Sequence, residues 1–435
     1  MNRKFLSSLA IASALTLAAC AGGASDAGDS ASDSDSGAAA GPRTLLVWVD
    51  TVREPACQAY QASVVDDIEV TCEVVGQEEI LPKIQLANAA GEGWPDVVFS
   101  PPNSVSIYAE ETNGFALNLD EYVDSAIIDD YNTSNDWCLV DGSYYCLKND
   151  LAQTVLWYDT VIFDELGLTV PTTMAEFSAT AMELKGTDYV AGAIGDQGFY
   201  AGYLWPSGCP MAHVQDGTNV RINAAAPECT RVFETMQPLV DAGVVDSRSA
   251  FDAGFLTEVA QQQKVAMHIG PSWWGEFVIR PADSWAIPEG RFTAAEMPSW
   301  PGEATAWSGE WGGGIWVVSS HAENLQDAAD AGVFLATDPV MREDKVTFPG
   351  YAPAFELWAA RLGKDTYYAA DPTVAMVAQA SRIRQDNNPV RYDMRGQIGV
   401  LQTEIGAGKT LEDATGIFMQ SLIELAPGVG YTVID

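Results

Sequence analysis

Short apolar runs alternate with helix-like segments at the start of the folded part of this chain. Residues 44–49 form a continuous apolar run, which is typical of a strand buried on both faces of a parallel sheet. Residues 68–74 alternate apolar with polar side chains, and residues 95–100 form another short strand, with a helix-like segment at 80–90 between them. Strands that alternate with helices predict an α/β lobe built from βαβ units.

The later part of the chain continues this α/β pattern. A strand at residues 154–158 is followed by a helix that Gly167 ends, and Thr173 with Glu176 forms a capping box that starts the next helix. Residues 320–323 (Ser-His-Ala-Glu) repeat the capping-box pattern and predict the start of another helix. No unit of about 20 to 50 residues recurs, which argues against a repeat solenoid.

The N-terminus has the order of an export signal. Arg3 and Lys4 carry positive charge, residues 5–19 form an apolar run, and Leu-Ala-Ala precedes Cys20. The run is shorter than the roughly 20 residues of a membrane-spanning helix. The Leu-Ala-Ala-Cys stretch resembles the lipobox of bacterial lipoproteins, which implies that residues 1–19 are a signal peptide and that Cys20 is lipidated. An ordinary signal peptide with a chance cysteine is the alternative.

Length and charge limit the architecture and the partners. Residues 20–43 are nearly all Gly, Ala, Ser and Asp and predict a flexible tether behind the lipidated cysteine. The remaining chain is longer than one domain usually is, so two lobes are expected. A formal charge of −38 argues against nucleic acid as a partner and against docking on anionic lipid, because like charges repel. The lipid anchor would be the only membrane contact.

Six cysteines remain once Cys20 is set aside, and an even number in an exported chain predicts disulfides. Six cysteines allow 15 pairings. Because sequence neighbours close the shortest loops, the favoured pairs are Cys57 with Cys72, Cys138 with Cys146, and Cys209 with Cys229. A zinc site is the alternative, and no Cys-x-x-Cys pair supports it.

Several segments together resemble a known family, the extracellular solute-binding proteins of bacterial ABC importers in the maltose-binding-protein-like branch. The segments that carry the resemblance are residues 95–99 (Pro-Asp-Val-Val-Phe), 114–120, 156–177, 264–273 and 319–338. Within the most recognisable of them, Asp159 stands where the family has Asn, and Met174 stands where it has Trp. In order, these segments cover nearly the whole folded part.

The resemblance implies a two-lobed periplasmic-binding-protein-like fold of type II, with the ligand in a cleft between lobes that hinge strands join. We expect residues 44–148 plus 307–345 in the N-terminal lobe and residues 149–306 plus 346–435 in the C-terminal lobe. Hinge closure would trap the ligand, and the closed form would deliver it to two permease subunits with their ATPase. The resemblance further implies a monomer that needs no cofactor or metal and is no enzyme.

Carbohydrate is the expected ligand, because sugars need polar groups for their hydroxyls and flat aromatic rings for their C–H faces. Trp273 and Trp274 are the strongest candidates, since they follow a strand end and the corresponding family tryptophan stacks on sugar. Glu310 and Trp311 sit in a glycine-rich stretch that permits close backbone approach. The other candidate ligand-binding residues are Trp48, Asp50, Asn103, Asp150, Gln153, Tyr203, Trp205 and Tyr351.

Other functions stay open at this stage. A secreted glycoside hydrolase could use carboxylates such as Asp150 and Glu310, although nothing in the sequence singles out an acid and nucleophile pair. Metal capture is disfavoured because His213, His268 and His321 are not spaced as ligands. An acidic protein of the same fold could instead bind a polyamine or another small solute. Cleft carboxylates that dominate would favour a polyamine, and carboxylates that alternate with aromatic rings would favour a sugar.

Overall fold

The computed structural model describes residues 43–64, 68–110, 114–131, 134–215, 217–338, 347–387 and 390–434. The predicted signal peptide, Cys20 and almost all of the predicted tether therefore lie outside the described residues. Within the described part, no helix has the length and apolar character that crossing a membrane requires.

The described chain is an α/β protein, as the sequence predicts. Its strands are β1 Arg43–Val49, β2 Ile68–Val74, β3 Val97–Ser100, β4 Leu139–Val140, β5 Ser143–Tyr144, β6 Leu147–Leu151, β7 Thr154–Asp159, β8 His213–Val214, β9 Asn219–Arg221, β10 Met267–Pro271, β11 Phe292–Ala295, β12 Gly314–Val318, β13 Phe348–Pro349 and β14 Thr432–Ile434. Its helices are α1 Glu54–Ser63, α2 Gln77–Ala90, α3 Val105–Tyr108, α4 Ser125–Asp129, α5 Thr160–Leu166, α6 Met174–Glu183, α7 Gln197–Phe199, α8 Pro227–Asp241, α9 Ala253–Phe255, α10 Leu325–Thr337, α11 Ala352–Leu362, α12 Thr373–Ala380, α13 Met394–Gly406 and α14 Leu411–Leu425.

The first sheet has six strands in the order β13-β6-β12-β3-β1-β2. Strand β1 runs parallel to both β2 and β3, which confirms the predicted βαβ arrangement. Residues 45–49 of β1 are all apolar because both faces of the strand are covered there: Val47 and Val49 pack in one core cluster and Trp48 packs in the other. Strand β12 enters antiparallel between β3 and β6 and completes the centre of the sheet.

The second sheet has three strands in the order β10-β7-β11, and both of its pairings are antiparallel. Strand β10, which precedes Trp273, is therefore antiparallel to its neighbour β7. The helices around this sheet bury a large core, and α6 begins with the predicted capping box of Thr173 and Glu176. Gly167 ends α5 with a φ of +67°, as expected for a left-handed C-cap.

One predicted helix start is wrong. The Ser-His-Ala-Glu segment at 320–323 does not open a helix, because the backbone there still bonds to segments far earlier in the chain: Ser319 N–H donates to Asp96 O and Ser320 N–H donates to Phe115 O. Helix α10 begins at Leu325, where the Asn324 side chain accepts from the Asp327 backbone N–H at 3.2 Å.

All three favoured disulfides are confirmed. Cys57–Cys72 ties α1 to β2, Cys138–Cys146 closes the β4–β5 hairpin, and Cys209–Cys229 ties α8 to the loop before β8. Their Cα atoms lie 6.0, 5.0 and 4.6 Å apart, which suits unforced bridges.

The chain passes between the two sheets at neighbouring segments. Strand β6 ends in the first sheet and β7 begins in the second, so the first passage lies at residues 152–153. The return passage between β11 and β12 runs alongside it: Thr154 N–H donates to Gly309 O at 3.0 Å, and Trp311 N–H donates to Ala152 O at 3.0 Å. Strand β13 then adds to the first sheet before the C-terminal helices begin. These strand assignments do not test the predicted boundaries of the two lobes, which remain a prediction.

Candidate functional site

A cavity of about 430 Å³ lies between the elements of the first sheet and those of the second. Its volume falls within the usual range for small-molecule sites. Five aromatic rings and four charged side chains contribute to its lining. The lining residues are Asp50, Val52, Arg53, Gln77, Phe99, Asp150, Gln197, Phe251, Trp273, Phe277, Val278, Trp311, Gly312, Gly313, Thr347 and Arg395.

The polar wall of the cavity stands on the first sheet. Asp50 directly follows strand β1, and Gln77 starts α2 three residues after strand β2, at the carboxyl ends where parallel strands present ligand contacts. Arg53 joins two carboxylates, because its guanidinium donates to Asp50 Oδ2 at 3.1 Å and to Asp150 Oδ2 at 3.4 Å. Gln77 Nε2 also donates to Asp50 Oδ2, at 2.8 Å. The polar wall is therefore a connected hydrogen-bond network that the protein forms without a ligand.

Asp150 is the buried anchor of this network. Besides Arg53, its Oδ1 accepts from the Gly314 backbone N–H at 2.9 Å, which fixes β12 against β6. The approach of these strands requires glycine at Gly313, where φ is +72° and an added Cβ would come within 3.0 Å of Asp150 O. The glycine-rich stretch therefore brings the polar network against the backbone, as the sequence suggested.

Another part of the cavity lining, the aromatic wall, consists of aromatic rings. The rings of Trp273 and Trp311 meet edge to face with centroids 5.7 Å apart, and Trp273 Nε1 donates to Trp311 O at 2.8 Å. Phe277 lies edge to face against Trp273 at 5.9 Å, and Phe251 lies against Trp311 at 6.2 Å. Phe251 and Phe277 are 46% and 36% exposed, so these apolar rings face open space. Such rigid flat surfaces suit the C–H faces of a sugar.

Asp196 supports the aromatic wall from behind. Its carboxylate is buried and accepts from the backbone N–H groups of Gly198 and Ala250, each at 2.8 Å. These contacts hold two cavity-lining neighbours in place, Gln197 and Phe251. Burial raises the pKa of Asp196 to about 6, because desolvation outweighs its hydrogen bonds.

Four of the twelve residues that the sequence suggested line this cavity: Asp50, Asp150, Trp273 and Trp311. Trp274, the neighbour of Trp273, is fully buried behind the wall, packed against Trp311 with centroids 5.0 Å apart. Glu310 is also buried, and its carboxylate pairs with Lys148 Nζ at 3.0 Å instead of facing the cavity. Burial raises the pKa of Glu310 despite this ion pair.

The structure does not bring the remaining suggested residues to this cavity. Gln153 is buried at the passage between the sheets, and its amide donates to Met376 O. Trp48 and Tyr203 lie in core clusters, and the indole N–H of Trp48 donates to Glu73 Oε2. The last three suggested residues also lie elsewhere. The Trp205 indole N–H donates to Arg384 O, the Tyr351 hydroxyl donates to Asp130 Oδ2, and Asn103 lines an adjoining cavity.

Sequence reasoning missed several lining residues. Arg53 and Gln77 had a signal, because each closely follows a strand of the βαβ unit at the edge where ligands bind. Phe251, Phe277 and Arg395 lie on turns and helices far along the chain, and no local pattern marks them. No group of three or more His, Cys, Asp or Glu side chains within the described ranges is placed to hold a metal ion.

The geometry agrees with solved structures of one fold. An ABC-transporter-associated binding protein from B. animalis subsp. lactis Bl-04, in complex with beta-1,6-galactobiose, superposes with a TM-score of 0.71 at 18% identity, over 91% of this chain and 100% of its own. The Listeria monocytogenes substrate-binding protein Lmo0181, in complex with cycloalternan, gives a TM-score of 0.70 at 15% identity, over 90% and 100%. The GacH receptor of Streptomyces glaucescens, solved unliganded and with acarbose, gives 0.67 at 18% identity, over 90% and 100%.

At these identities the structural matches establish the fold, the two-lobed form of periplasmic sugar-binding proteins. A comparison with proteins of curated function returns no match in sequence. The family described as bacterial extracellular solute-binding protein matches residues 56–375, well over half of the 435-residue chain. The chain therefore belongs to the bacterial extracellular solute-binding protein family.

Proposed function

We propose that this protein is the substrate-binding component of an ABC importer and that it captures a carbohydrate, most simply an oligosaccharide, in the cavity between its sheets. One observation carries the proposal: the aromatic rings of Trp273 and Trp311 line the same cavity as the hydrogen-bonded side chains of Asp50, Arg53 and Asp150. Stacking surfaces opposite fixed donors and acceptors are what a sugar ring needs on its two kinds of surface. The structural neighbours named above with galactobiose, cycloalternan and acarbose support this ligand class.

The charge balance of the cavity favours a neutral ligand over a polyamine. The lining carries two carboxylates, Asp50 and Asp150, and two guanidinium groups, Arg53 and Arg395. Both carboxylates accept hydrogen bonds from Arg53. A polyamine would have to displace one cation while lying close to the other, which costs electrostatic energy in a partly buried site. A neutral polyhydroxyl ligand can bind the same groups without breaking the ion pairs.

The same geometry disfavours a glycoside hydrolase. Of the two carboxylates that the sequence offered for that chemistry, Asp150 lines the cavity but Glu310 is buried against Lys148. We propose instead that the protein performs no reaction and that closure of the two lobes around the sugar creates the form that the permease recognises. In this proposal Cys20 carries a lipid anchor, residues 20–43 form the tether, and the protein acts as a monomer at the outer face of the cell membrane.

Tryptophan fluorescence tests the ligand class. The chain from Ala21 to Asp435 is titrated with disaccharides and oligosaccharides, and with spermidine and amino acids for comparison. We expect a saturable change with one oligosaccharide family, and we expect Trp273→Ala to weaken that binding by at least tenfold, since a stacking ring in a cleft is a dominant contact. The matched control is Trp94→Ala, which removes an indole that stacks on His321 away from the cavity. Binding of spermidine but of no sugar would refute the carbohydrate assignment.

A further inference from the structure

A second cavity adjoins the one described above, and its lining differs in character. It has a volume of about 540 Å³ and lies between helix α2 and helix α13. Gln77, Gln197 and Arg395 line both cavities, so these side chains form a shared partition. We call this second space the amide compartment, after its lining of Gln77, Gln85, Asn103, Gln197 and Gln402.

The amides of this compartment have unused hydrogen-bonding capacity. Among the described residues, the side chains of Gln85, Asn103, Gln197 and Gln402 make no hydrogen bond, although all but Gln85 are partly buried. Each amide offers two donors and an acceptor, which matches hydroxyl groups that both donate and accept. Amides that have no protein partner are available to hydrogen-bond a polar ligand in place of water.

The charged side chains of the compartment already make hydrogen bonds within the protein. Arg395 Nη2 donates to Glu78 Oε1 at 2.8 Å, and Asp393 accepts from the Gly396 backbone N–H at 3.1 Å at the start of α13. No aromatic side chain is among the residues that line it. The compartment therefore offers hydrogen bonds to a neutral ligand, but neither a stacking surface nor an uncompensated charge cluster.

The partition can open at little cost. Arg395 reaches from α13 to α2, where its Nη1 donates to Gln77 Oε1 at 3.1 Å. The side chains of Arg395 and Glu78 are 40% and 73% exposed, so their ion pair is screened by water and contributes little to stability. A ligand that enters from the aromatic cavity could displace Arg395 from Gln77 and exchange one hydrogen bond for another.

We propose that the amide compartment is a second ligand compartment, which holds the distal units of an extended neutral carbohydrate whose first units stack in the aromatic cavity. This inference rests on the proposed function. Arg395 separates the compartments when a short ligand is bound and moves aside for a longer one. The amides bind hydroxyls of the distal units. The amide compartment therefore discriminates between ligands by length, whereas the aromatic cavity binds the first units by stacking.

Calorimetry with a homologous series tests this division. The probes are maltose, maltotriose and maltotetraose, together with β-1,6-linked galacto-oligosaccharides of two, three and four units, titrated into the chain from Ala21 to Asp435. Within the series that binds, we expect the longest member to bind more tightly than the disaccharide. Gln85→Ala and Gln402→Ala should each weaken the longest member about fivefold, the effect of losing one neutral hydrogen bond, and leave the disaccharide unchanged. The control is Gln58→Ala on α1, whose amide bonds to Glu54 on an exposed face.

A filling variant provides an independent measurement. Gln402→Trp places a large ring in the amide compartment, so it should remove the advantage of the longest ligand and spare disaccharide binding. Disaccharide binding also shows that each variant is folded. If a series binds but all lengths bind equally, or if the three variants affect every length alike, the second-compartment proposal is wrong while the proposed function stands. If no sugar of either series binds, the carbohydrate assignment fails and this inference fails with it.

Discussion

The buried pair of Lys148 and Glu310 gives the sharpest prediction about stability. Their side chains are 0% and 1% exposed, and they join β6 of the first sheet to the segment that returns from the second. Among the residues that the structure describes, the Glu310 carboxylate has one other protein donor, the Ala152 backbone N–H at 3.3 Å. Replacing Lys148 by Met keeps a similar side-chain volume but leaves the carboxylate buried without a cation. Removing one partner of a buried pair is strongly destabilising.

The loss in free energy of unfolding has an upper bound, because the unpaired Glu310 carboxylate can become neutral by taking up a proton. An unfolded glutamate has a pKa of about 4.3, and each pKa unit corresponds to about 1.4 kcal/mol. Keeping the carboxyl neutral therefore costs about 3.7 kcal/mol at pH 7 and about 1 kcal/mol at pH 5. We expect Lys148→Met to lower the free energy of unfolding by about 3 to 4 kcal/mol at pH 7, and by much less at pH 5.

Urea unfolding at the two pH values measures this difference. The double variant Lys148→Met with Glu310→Leu removes both charges and should fall within about 1 kcal/mol of the unmodified chain at pH 7. The matched control is Lys409→Met, which removes an exposed partner of Glu404 and should change stability by less than about 0.5 kcal/mol. If Lys148→Met lowers the free energy of unfolding equally at pH 7 and pH 5, the reasoning is refuted, because the unpaired Glu310 carboxylate is then not being protonated.

Two further predictions concern the disulfide of the first sheet and the carboxyl group behind the aromatic wall. Replacing Cys57 and Cys72 by Ala opens a loop of 15 residues and should lower the free energy of unfolding by about 3 kcal/mol. Urea unfolding of the variant and of the chain with all disulfides intact measures this difference. A loss below about 0.5 kcal/mol would contradict the prediction. The pKa of Asp196 is raised to about 6, above that of an unfolded aspartate, so the stability contributed by its protonated form is complete below about pH 4 and lost as the pH rises through 6. From pH 7 to pH 5 the unmodified chain should therefore gain about 1.4 kcal/mol relative to Asp196→Asn, and equal pH slopes in the two proteins would show that this carboxyl does not titrate as stated.

The sequence predicted the fold because its signals are local. The apolar run of β1 reflects two covered faces, and the Thr173 capping box and Gly167 are satisfied within a few residues of their own position. The disulfide pairs followed from short loops. The Ser320 pattern failed because the backbone N–H of Ser320 donates to Phe115 O, a partner so distant in the chain that no local window contains it.

The site was only partly predictable, because a cavity brings together distant segments. Trp273 and Trp274 are neighbours with the same local context, yet one lines the cavity and the other is fully buried behind it. Both rings contact Trp311, but Trp274 also stacks on buried His268 and packs edge to face against buried Trp285. Glu310 likewise has the surroundings of a ligand-binding acid in sequence, and only the structure shows that Lys148 occupies its carboxylate.

The net charge of the protein and the charge of its cavity lead to different expectations about the ligand. A formal charge of −38 would attract a cation over a distance, and composition alone left a polyamine open. Within the cavity, however, Arg53 and Arg395 balance Asp50 and Asp150. Salt screens the long-range field over about 10 Å, whereas contacts inside the site are screened far less. In the proposed function, the local balance decides selectivity and the excess acidic residues act on solubility, so an acidic protein can carry a site for a neutral ligand.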